Sequence, residues 1–167
     1  MNRPMFLLPI LFAILSSCTK GEIVNNSQNE NSTVQSTVNK TVLMELVNNV
    51  RKTGCQCGDT YYPAAPVITW NTLLENASYT HSNDMFQNKY FSHISPDGAN
   101  AGVRMERAGY KWTSYGENIA SGHKNETEVV KGWLASPGHC KNIMSKNYKE
   151  IGVARSGNIW VMDFGAR

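Results

Sequence analysis

Histidines and cysteines are the residues in this 167-residue chain that offer the most chemistry, and there are four of each. The histidines lie far apart, and isolated histidines are more often packed or surface residues than ligands. One pairing of nucleophile and base stands out, because Ser136 precedes His139 by three residues. However, Ser136 also precedes Pro137, which suits the first position of a helix, so we interpret the serine as a capping residue whose hydroxyl binds a backbone N–H. No GxSxG, HExxH or glycine-rich phosphate loop supports catalysis.

The first cysteine lies at the end of an export signal. One cation, Arg3, is followed by an apolar stretch and then by Leu15-Ser16-Ser17-Cys18, which resembles a bacterial lipobox. We therefore predict a signal peptide over residues 1–17, lipidation of Cys18 and a membrane anchor formed by the acyl chains. An ordinary cleaved signal with a coincidental cysteine is the alternative. Residues 18–40 are rich in Asn, Ser, Thr and Gln, which predicts a flexible tether of about 25 Å.

Three further cysteines are Cys55, Cys57 and Cys140. An exported protein is exposed to oxidation, so we expect one disulfide. A ring between Cys55 and Cys57 would be strained, and this favours Cys140 paired with either of them. A metal site built from the three cysteines and His139 is the second choice.

Composition and length favour one folded domain. Apolar residues make up 41% of the chain, which is enough for a core, and the length leaves room for one domain. The net charge of +3 is not gathered into a basic patch, so we expect no nucleic-acid partner.

The pattern of the remaining chain predicts helices around a few strands. Apolar spacing and capping residues indicate helices that begin near Thr41, Asn71, residue 103, Asn125 and Pro137. Residues 151–155 and 158–164 flank Ser156-Gly157 as a hairpin, and residues 115–120 form a further strand. We therefore predict an α/β fold, a three-layer α/β/α sandwich with a small antiparallel sheet between helices.

Four short motifs carry a resemblance to a known family. In chain order they are Tyr90-Phe91-Ser92-His93, Gly116-Glu117-Asn118-Ile119-Ala120, Trp133-Leu134-Ala135-Ser136-Pro137-Gly138-His139 and Asp163-Phe164-Gly165. Together they resemble the bacterial branch of the CAP superfamily (cysteine-rich secretory proteins, antigen 5 and pathogenesis-related proteins, also called SCP-like). The resemblance covers residues 41–167 and implies the same sandwich and an extracytoplasmic site of action.

The resemblance also implies a cleft where two histidines and two acids can hold a divalent metal. These positions correspond to His93, Glu117 and His139, but the second acid is replaced by Ser136. Two imidazoles and one carboxylate are the protein ligands of several catalytic zinc sites, so the resemblance implies a divalent cation such as zinc as the cofactor, and no cofactor is the alternative. Asn118 is expected to support the segment that presents Glu117. His81 is interpreted as a packed histidine and His123 as an exposed loop residue.

From this we predict a non-catalytic binding module with a His/Glu cleft for a lipid-like, peptide or glycan ligand, anchored in the cell envelope or at the cell surface. A metal-dependent peptidase or esterase using His93, Glu117 and His139 is the first alternative. A structural envelope lipoprotein is the second.

Overall fold

The computed structural model describes residues 38–167, so the predicted signal peptide, Cys18 and most of the tether lie outside the described residues. Within this range the helices are α1 (Lys40–Thr53), α2 (Thr72–Asn88), α3 (Ala101–Arg107), α4 (Glu126–Ala135) and α5 (Pro137–Met144). The strands are β1 (Cys55–Cys57), β2 (Thr60–Tyr62), β3 (Thr69–Trp70), β4 (Ser114–Ser121), β5 (Glu150–Ser156) and β6 (Ile159–Ala166). No helix in this part of the chain combines the length and apolar character needed to cross a bilayer.

The main sheet has the strand order β3-β5-β6-β4. The predicted hairpin is β5–β6, and β4 pairs antiparallel with β6 on its other side. The short strand β3 pairs parallel with β5, which adds a parallel edge to the predicted antiparallel sheet. Strands β1 and β2 form a separate small hairpin. Strand β4 therefore lies at one edge of the main sheet, where its side chains are close to loops from both layers.

Helices cover both faces of the sheet. Strand β6 is buried along its whole length, and its alternate side chains enter different cores. Trp160, Met162 and Phe164 pack with residues of α1, α4 and α5, whereas Val161 packs in a cluster with Met85 of α2. The predicted three-layer α/β/α sandwich is confirmed.

Most of the predicted helix starts are confirmed by their caps. The Asn71 side chain accepts hydrogen bonds from the backbone N–H groups of Leu73 and Leu74, and Asn125 accepts one from Glu128. Helix α1 begins slightly earlier than predicted, with Asn39 as its cap instead of Thr41.

The capping role predicted for the Ser136 hydroxyl is wrong. Ser136 occupies the N-cap position of α5 but makes no side-chain capping bond. Pro137, which follows it, has no N–H to donate. The Ser136 carbonyl accepts the Cys140 N–H at 2.8 Å, and its hydroxyl remains available on the surface of the groove described below.

One predicted covalent link is confirmed. Cys57 and Cys140 form a disulfide with a Cα–Cα distance of 5.4 Å, one of the two pairings left open by the sequence. The bond ties the β1–β2 hairpin to α5, the helix that carries His139. The third cysteine, Cys55, has a free thiol.

Candidate functional site

A buried carboxylate on the edge strand β4 is the centre of the site. The Glu117 side chain is only 4% exposed. Its Oε1 lies 2.6 Å from Nδ1 of His93, and its Oε2 accepts a hydrogen bond from Arg104 Nη2 at 2.6 Å. Both oxygens are therefore engaged in short, charge-assisted contacts. The predicted pairing of His93 with Glu117 is present.

Arg104 is the member of the site that sequence analysis missed. It lies on α3, and its side chain is 5% exposed. Besides Glu117, it donates from Nη1 to the His93 carbonyl (3.0 Å), to Ser95 Oγ (3.1 Å) and to the Ala99 carbonyl (2.8 Å). One guanidinium thus neutralises the carboxylate and holds the backbone of the loop that carries His93. The only signal in the sequence was an arginine between the apolar residues of a short helix, which is also typical of a surface position.

His93 is half exposed, at 53% of its side-chain surface. Since Nδ1 faces the carboxylate, it carries the proton of that hydrogen bond, and Nε2 is the atom that can contact a ligand. A carboxylate that orients an imidazole in this way is typical of histidines that bind metals or substrates. Glu117 therefore acts on His93 as an orienting group.

His139 approaches the same place from the opposite layer. It lies near the start of α5 and is partly buried. Burial lowers the pKa of His139, and the neighbouring charge of His93 lowers it further. The two imidazoles are thus close enough to influence each other electrostatically, and His139 is held mainly neutral at pH 7.

Asn118 positions α5 and does not line the cleft. Its side chain is fully buried, and its Nδ2 donates to the His139 carbonyl at 3.1 Å. Asn142 of α5 donates in return to Asn118 Oδ1 (2.8 Å) and to the Glu117 carbonyl (3.2 Å). These bonds fix the start of α5 against β4, so the Gly-Glu-Asn segment holds both layers of the site in place.

A groove of about 360 Å³ follows β4 between the two layers and has His139 in its wall. Its lining is largely apolar, with Phe91, Ile119 and Trp133 among the contributors. Ser136 and His123 also line it. His123 lies in the loop between β4 and α4, as interpreted, but the expectation that it is exposed is wrong. It is partly buried, because its ring packs against Gly132 of α4, where an added Cβ would lie 2.7 Å from the imidazole.

Two more titratable groups lie behind Glu117. The ring of His81 is fully buried, with Nε2 2.9 Å from the Ser92 carbonyl and 3.9 Å from Glu117 Oε2. Burial lowers the pKa of His81, which is consistent with a neutral ring that donates from Nε2. The interpretation of His81 as a packed, hydrogen-bonded histidine is confirmed.

Asp163 lies opposite Glu117 in the register of β4 and β6 and is completely buried. Burial and the charge of Glu117 raise the pKa of Asp163 well above its usual value. Its Oδ2 is 3.0 Å from Ser78 Oγ, and Ser78 is also 3.0 Å from the Gly152 carbonyl. A protonated Asp163 can donate to the Ser78 oxygen while the Ser78 hydroxyl donates to the carbonyl, which satisfies both contacts.

A second, more polar hollow of about 1060 Å³ lies along α2 and α3. His81 and Arg104 line it, as do Tyr79, Asp84 and Arg107. The buried network around Glu117 thus touches this hollow through His81 and Arg104.

The fit to a divalent metal differs between two clusters. Among residues 38–167, one group of three potential metal ligands has its ligand atoms within 4.8 Å of one another. It consists of Cys55, Cys57 and Cys140. These three sulfur atoms can share a metal when reduced, but here two of them form a disulfide. At the histidines, both oxygens of Glu117 are taken by His93 and Arg104, so the imidazole nitrogens of His93 and His139 are the donors available to a metal.

Comparisons with known proteins agree with this architecture. The sequence profile of CAP, the cysteine-rich secretory protein family, matches residues 44–164. YkwD of Bacillus subtilis is 41% identical over 93 residues, which cover 54% of this chain and 36% of YkwD. The chain spans about a third of the length of the curated relatives it matches.

Solved structures show the same fold. An extracellular protein of Bacillus anthracis that contains an SCP domain superposes with a TM-score of 0.67 at 28% identity, over 76% of this chain and 40% of that one. An outer surface protein of Borrelia burgdorferi has a TM-score of 0.65 at 21% identity, over 76% of this chain and 91% of that one.

Proposed function

This chain belongs to the cysteine-rich secretory protein (CAP) family, and from that premise we propose that it is an extracytoplasmic binding module for a lipid-like ligand. The apolar part of the ligand lies in the groove along β4, and its polar group contacts the imidazoles of His93 and His139. The observation that carries the proposal is the engagement of both Glu117 oxygens by His93 and Arg104.

That engagement favours binding over catalysis. A general base must reach a proton on the substrate, but the Glu117 carboxylate is buried and already accepts two hydrogen bonds. In the described part of the chain, no hydrogen bond joins Ser136 to His139, so a nucleophile–base pair has no support there. A rigidly held imidazole instead lowers the entropy lost when a ligand binds.

The lining of the groove favours a lipid-like ligand over a peptide or a glycan. Its volume of about 360 Å³ is at the lower end for small-molecule sites, and such sites combine apolar walls with a few polar groups. Phe91 is 51% exposed at this surface, and contact with the apolar chain of a ligand would remove this side chain from water.

The test is a binding titration of the exported protein with a fluorescent fatty acid, supported by mass spectrometry of whatever organic solvent extracts from it. Phe91→Ala removes an apolar wall and is expected to weaken binding by at least about tenfold. Val67→Ala, which truncates another exposed apolar residue away from the groove, is the matched control and should bind normally. Equal affinity of all three proteins, or recovery of a peptide or glycan instead of a lipid, would contradict the proposal.

A metal-dependent hydrolase is the second candidate, because Glu117 orients His93 as carboxylates orient metal-binding histidines. His93 and His139 would hold the ion, which would supply Lewis-acid activation of a bound water. The test is zinc titration by calorimetry together with an ester and peptide hydrolysis panel. Stoichiometric zinc binding and turnover that are both lost in His93→Gln and His139→Gln would favour this candidate over binding alone. A structural envelope protein would show no ligand, no metal and no turnover in any variant.

We also propose export and a lipid anchor at Cys18. The Bacillus anthracis protein of similar fold is extracellular, which supports export, and the Leu15-Ser16-Ser17-Cys18 segment supports lipidation. In bacteria, the protein should incorporate a labelled fatty acid, and Cys18→Ser should abolish that label. A parent protein that takes up no fatty acid, or a variant that takes up as much as the parent, would argue against the lipid.

A further inference from the structure

Three cysteines meet where the β1–β2 hairpin contacts α5. Cys57 and Cys140 form the disulfide, and both are buried. The thiol of Cys55 is partly exposed and lies 3.7 Å from the Cys140 sulfur. All three sulfur atoms lie within 4.8 Å of one another. A free thiol in contact with a disulfide is the arrangement from which thiol–disulfide exchange starts.

We propose that Cys55, Cys57 and Cys140 form an intramolecular thiol–disulfide exchange site in which Cys140 alternates between the other two cysteines. The Cys55 thiol loses its proton to solvent, and its thiolate attacks Sγ of Cys140. The Cys55–Cys140 bond forms as the Cys57–Cys140 bond breaks, and Cys57 leaves as a thiolate that takes up a proton from solvent. One thiol and one disulfide exist before and after the step, so no external oxidant or reductant is needed.

The attack requires one side-chain movement. Displacement at sulfur proceeds through three sulfur atoms nearly in line. With a disulfide bond of about 2.05 Å, an in-line attack from 3.7 Å would place Cys55 and Cys57 sulfurs roughly 5.7 Å apart. They lie within 4.8 Å instead, so Cys55 must rotate before it attacks. Its partial exposure leaves room for that rotation.

Both isomers preserve the link between the hairpin and α5, because Cys55 and Cys57 belong to the same short strand β1. The exchange changes which sulfur is free. In the present isomer the free thiol is that of Cys55, which is partly exposed. In the other isomer the free thiol is that of Cys57, which is buried. A buried cysteine thiol packs as a small apolar group, so the core tolerates it. The site therefore can present or withdraw a reactive thiol without losing its cross-link.

The decisive test uses the full chain with Cys18→Ser, so that residue 18 contributes no thiol. In this background, Cys57→Ser is compared with Cys55→Ser after incubation in the same series of glutathione redox buffers, and tryptic peptides are mapped by mass spectrometry. Cys55→Ser is the matched control and should contain the Cys57–Cys140 disulfide. Cys57→Ser should also form Cys55–Cys140, but it should need a more oxidising glutathione ratio because this is the minor isomer. Two free thiols in Cys57→Ser, even at the most oxidising ratio of the series, would overturn the proposal.

A second measurement does not depend on how the variants fold. The Cys18→Ser chain, which keeps Cys55, Cys57 and Cys140, is held at pH 8, quenched in acid and labelled by alkylation of its free thiol. Fragmentation of the peptide that contains Cys55 and Cys57 then shows which of the two sulfur atoms carries the label. Exchange predicts that about 0.1–10% of the label is on Cys57, the usual range for a minor state. Label confined to Cys55 after prolonged incubation would refute exchange.

Discussion

The ion pair between Glu117 and Arg104 allows the sharpest test of how the site is built. Glu117→Gln keeps the shape of the side chain but removes its charge, which leaves the buried guanidinium without its partner. Removal of one partner from a buried pair costs about 3–5 kcal/mol. We expect the lower end of that range. Burial, the largest cause of the raised pKa of Asp163, remains in the variant, but the repulsion from Glu117 is gone and the Arg104 charge lowers this pKa, so Asp163 ionises more readily. The loss should therefore be about 3 kcal/mol.

The same reasoning predicts that Asp163→Asn makes the Glu117→Gln substitution more damaging. With both carboxylates removed, no acidic group near Arg104 compensates its charge, and the cost of Glu117→Gln should rise toward about 5 kcal/mol. The assay is urea unfolding followed by tryptophan fluorescence, since Trp133 and Trp160 are both buried. A loss below about 1 kcal/mol for Glu117→Gln, or an unchanged loss in the Asp163→Asn background, would refute this account.

Three further predictions concern the rest of the domain. Asp163→Asn alone should leave the free energy of unfolding unchanged near pH 4 and raise it above that of the parent as the pH increases. The reason is that a carboxyl with a raised pKa in the folded state contributes stability at low pH, and the parent loses this stability as the pH rises. Urea titrations across pH check this. Arg51→Met should cost about 3 kcal/mol or more in the same assay, since the buried Arg51 donates to three backbone carbonyls that would lose a charged donor. Cys140→Ser should cost about 2–5 kcal/mol, because the disulfide spans 83 residues, whereas Cys55→Ser should change stability by less than about 0.5 kcal/mol.

Local signals were sufficient to predict most of the fold. The asparagine caps at Asn71 and Asn125 and the Ser156-Gly157 turn act over a few residues, so their effects can be read from the sequence. Strand β3 could not be predicted in this way. It is two residues long and exists because Thr69 and Trp70 pair with the distant strand β5, and a contact of that range leaves no periodic pattern.

The histidines and the carboxylate of the site could be predicted from the sequence, but the arginine that balances the charge of the carboxylate could not. Motifs placed His93 next to Glu117, and the 2.6 Å contact is present. Arg104 was missed because its role depends on a tertiary contact between α3 and β4, and nothing in its local sequence distinguishes it from a surface arginine. Asn118 was predicted to support the segment that presents Glu117, but its side-chain hydrogen bonds are to His139 and Asn142 of the opposite layer.

Arg104 changes what the two histidines can do. Glu117 is buried, and Arg104 balances its charge inside the protein, while burial favours the neutral forms of His81 and Asp163. The buried network is therefore close to electrically neutral without any ligand, and it needs no cation to be stable. A divalent ion bound by His93 and His139 would find no negative charge that is not already balanced, and the nearby Arg104 guanidinium would repel it. A neutral or weakly polar group meets no such repulsion. The charge balance behind Glu117 thus favours a ligand that offers hydrogen bonds to the imidazoles over one that brings a second positive charge.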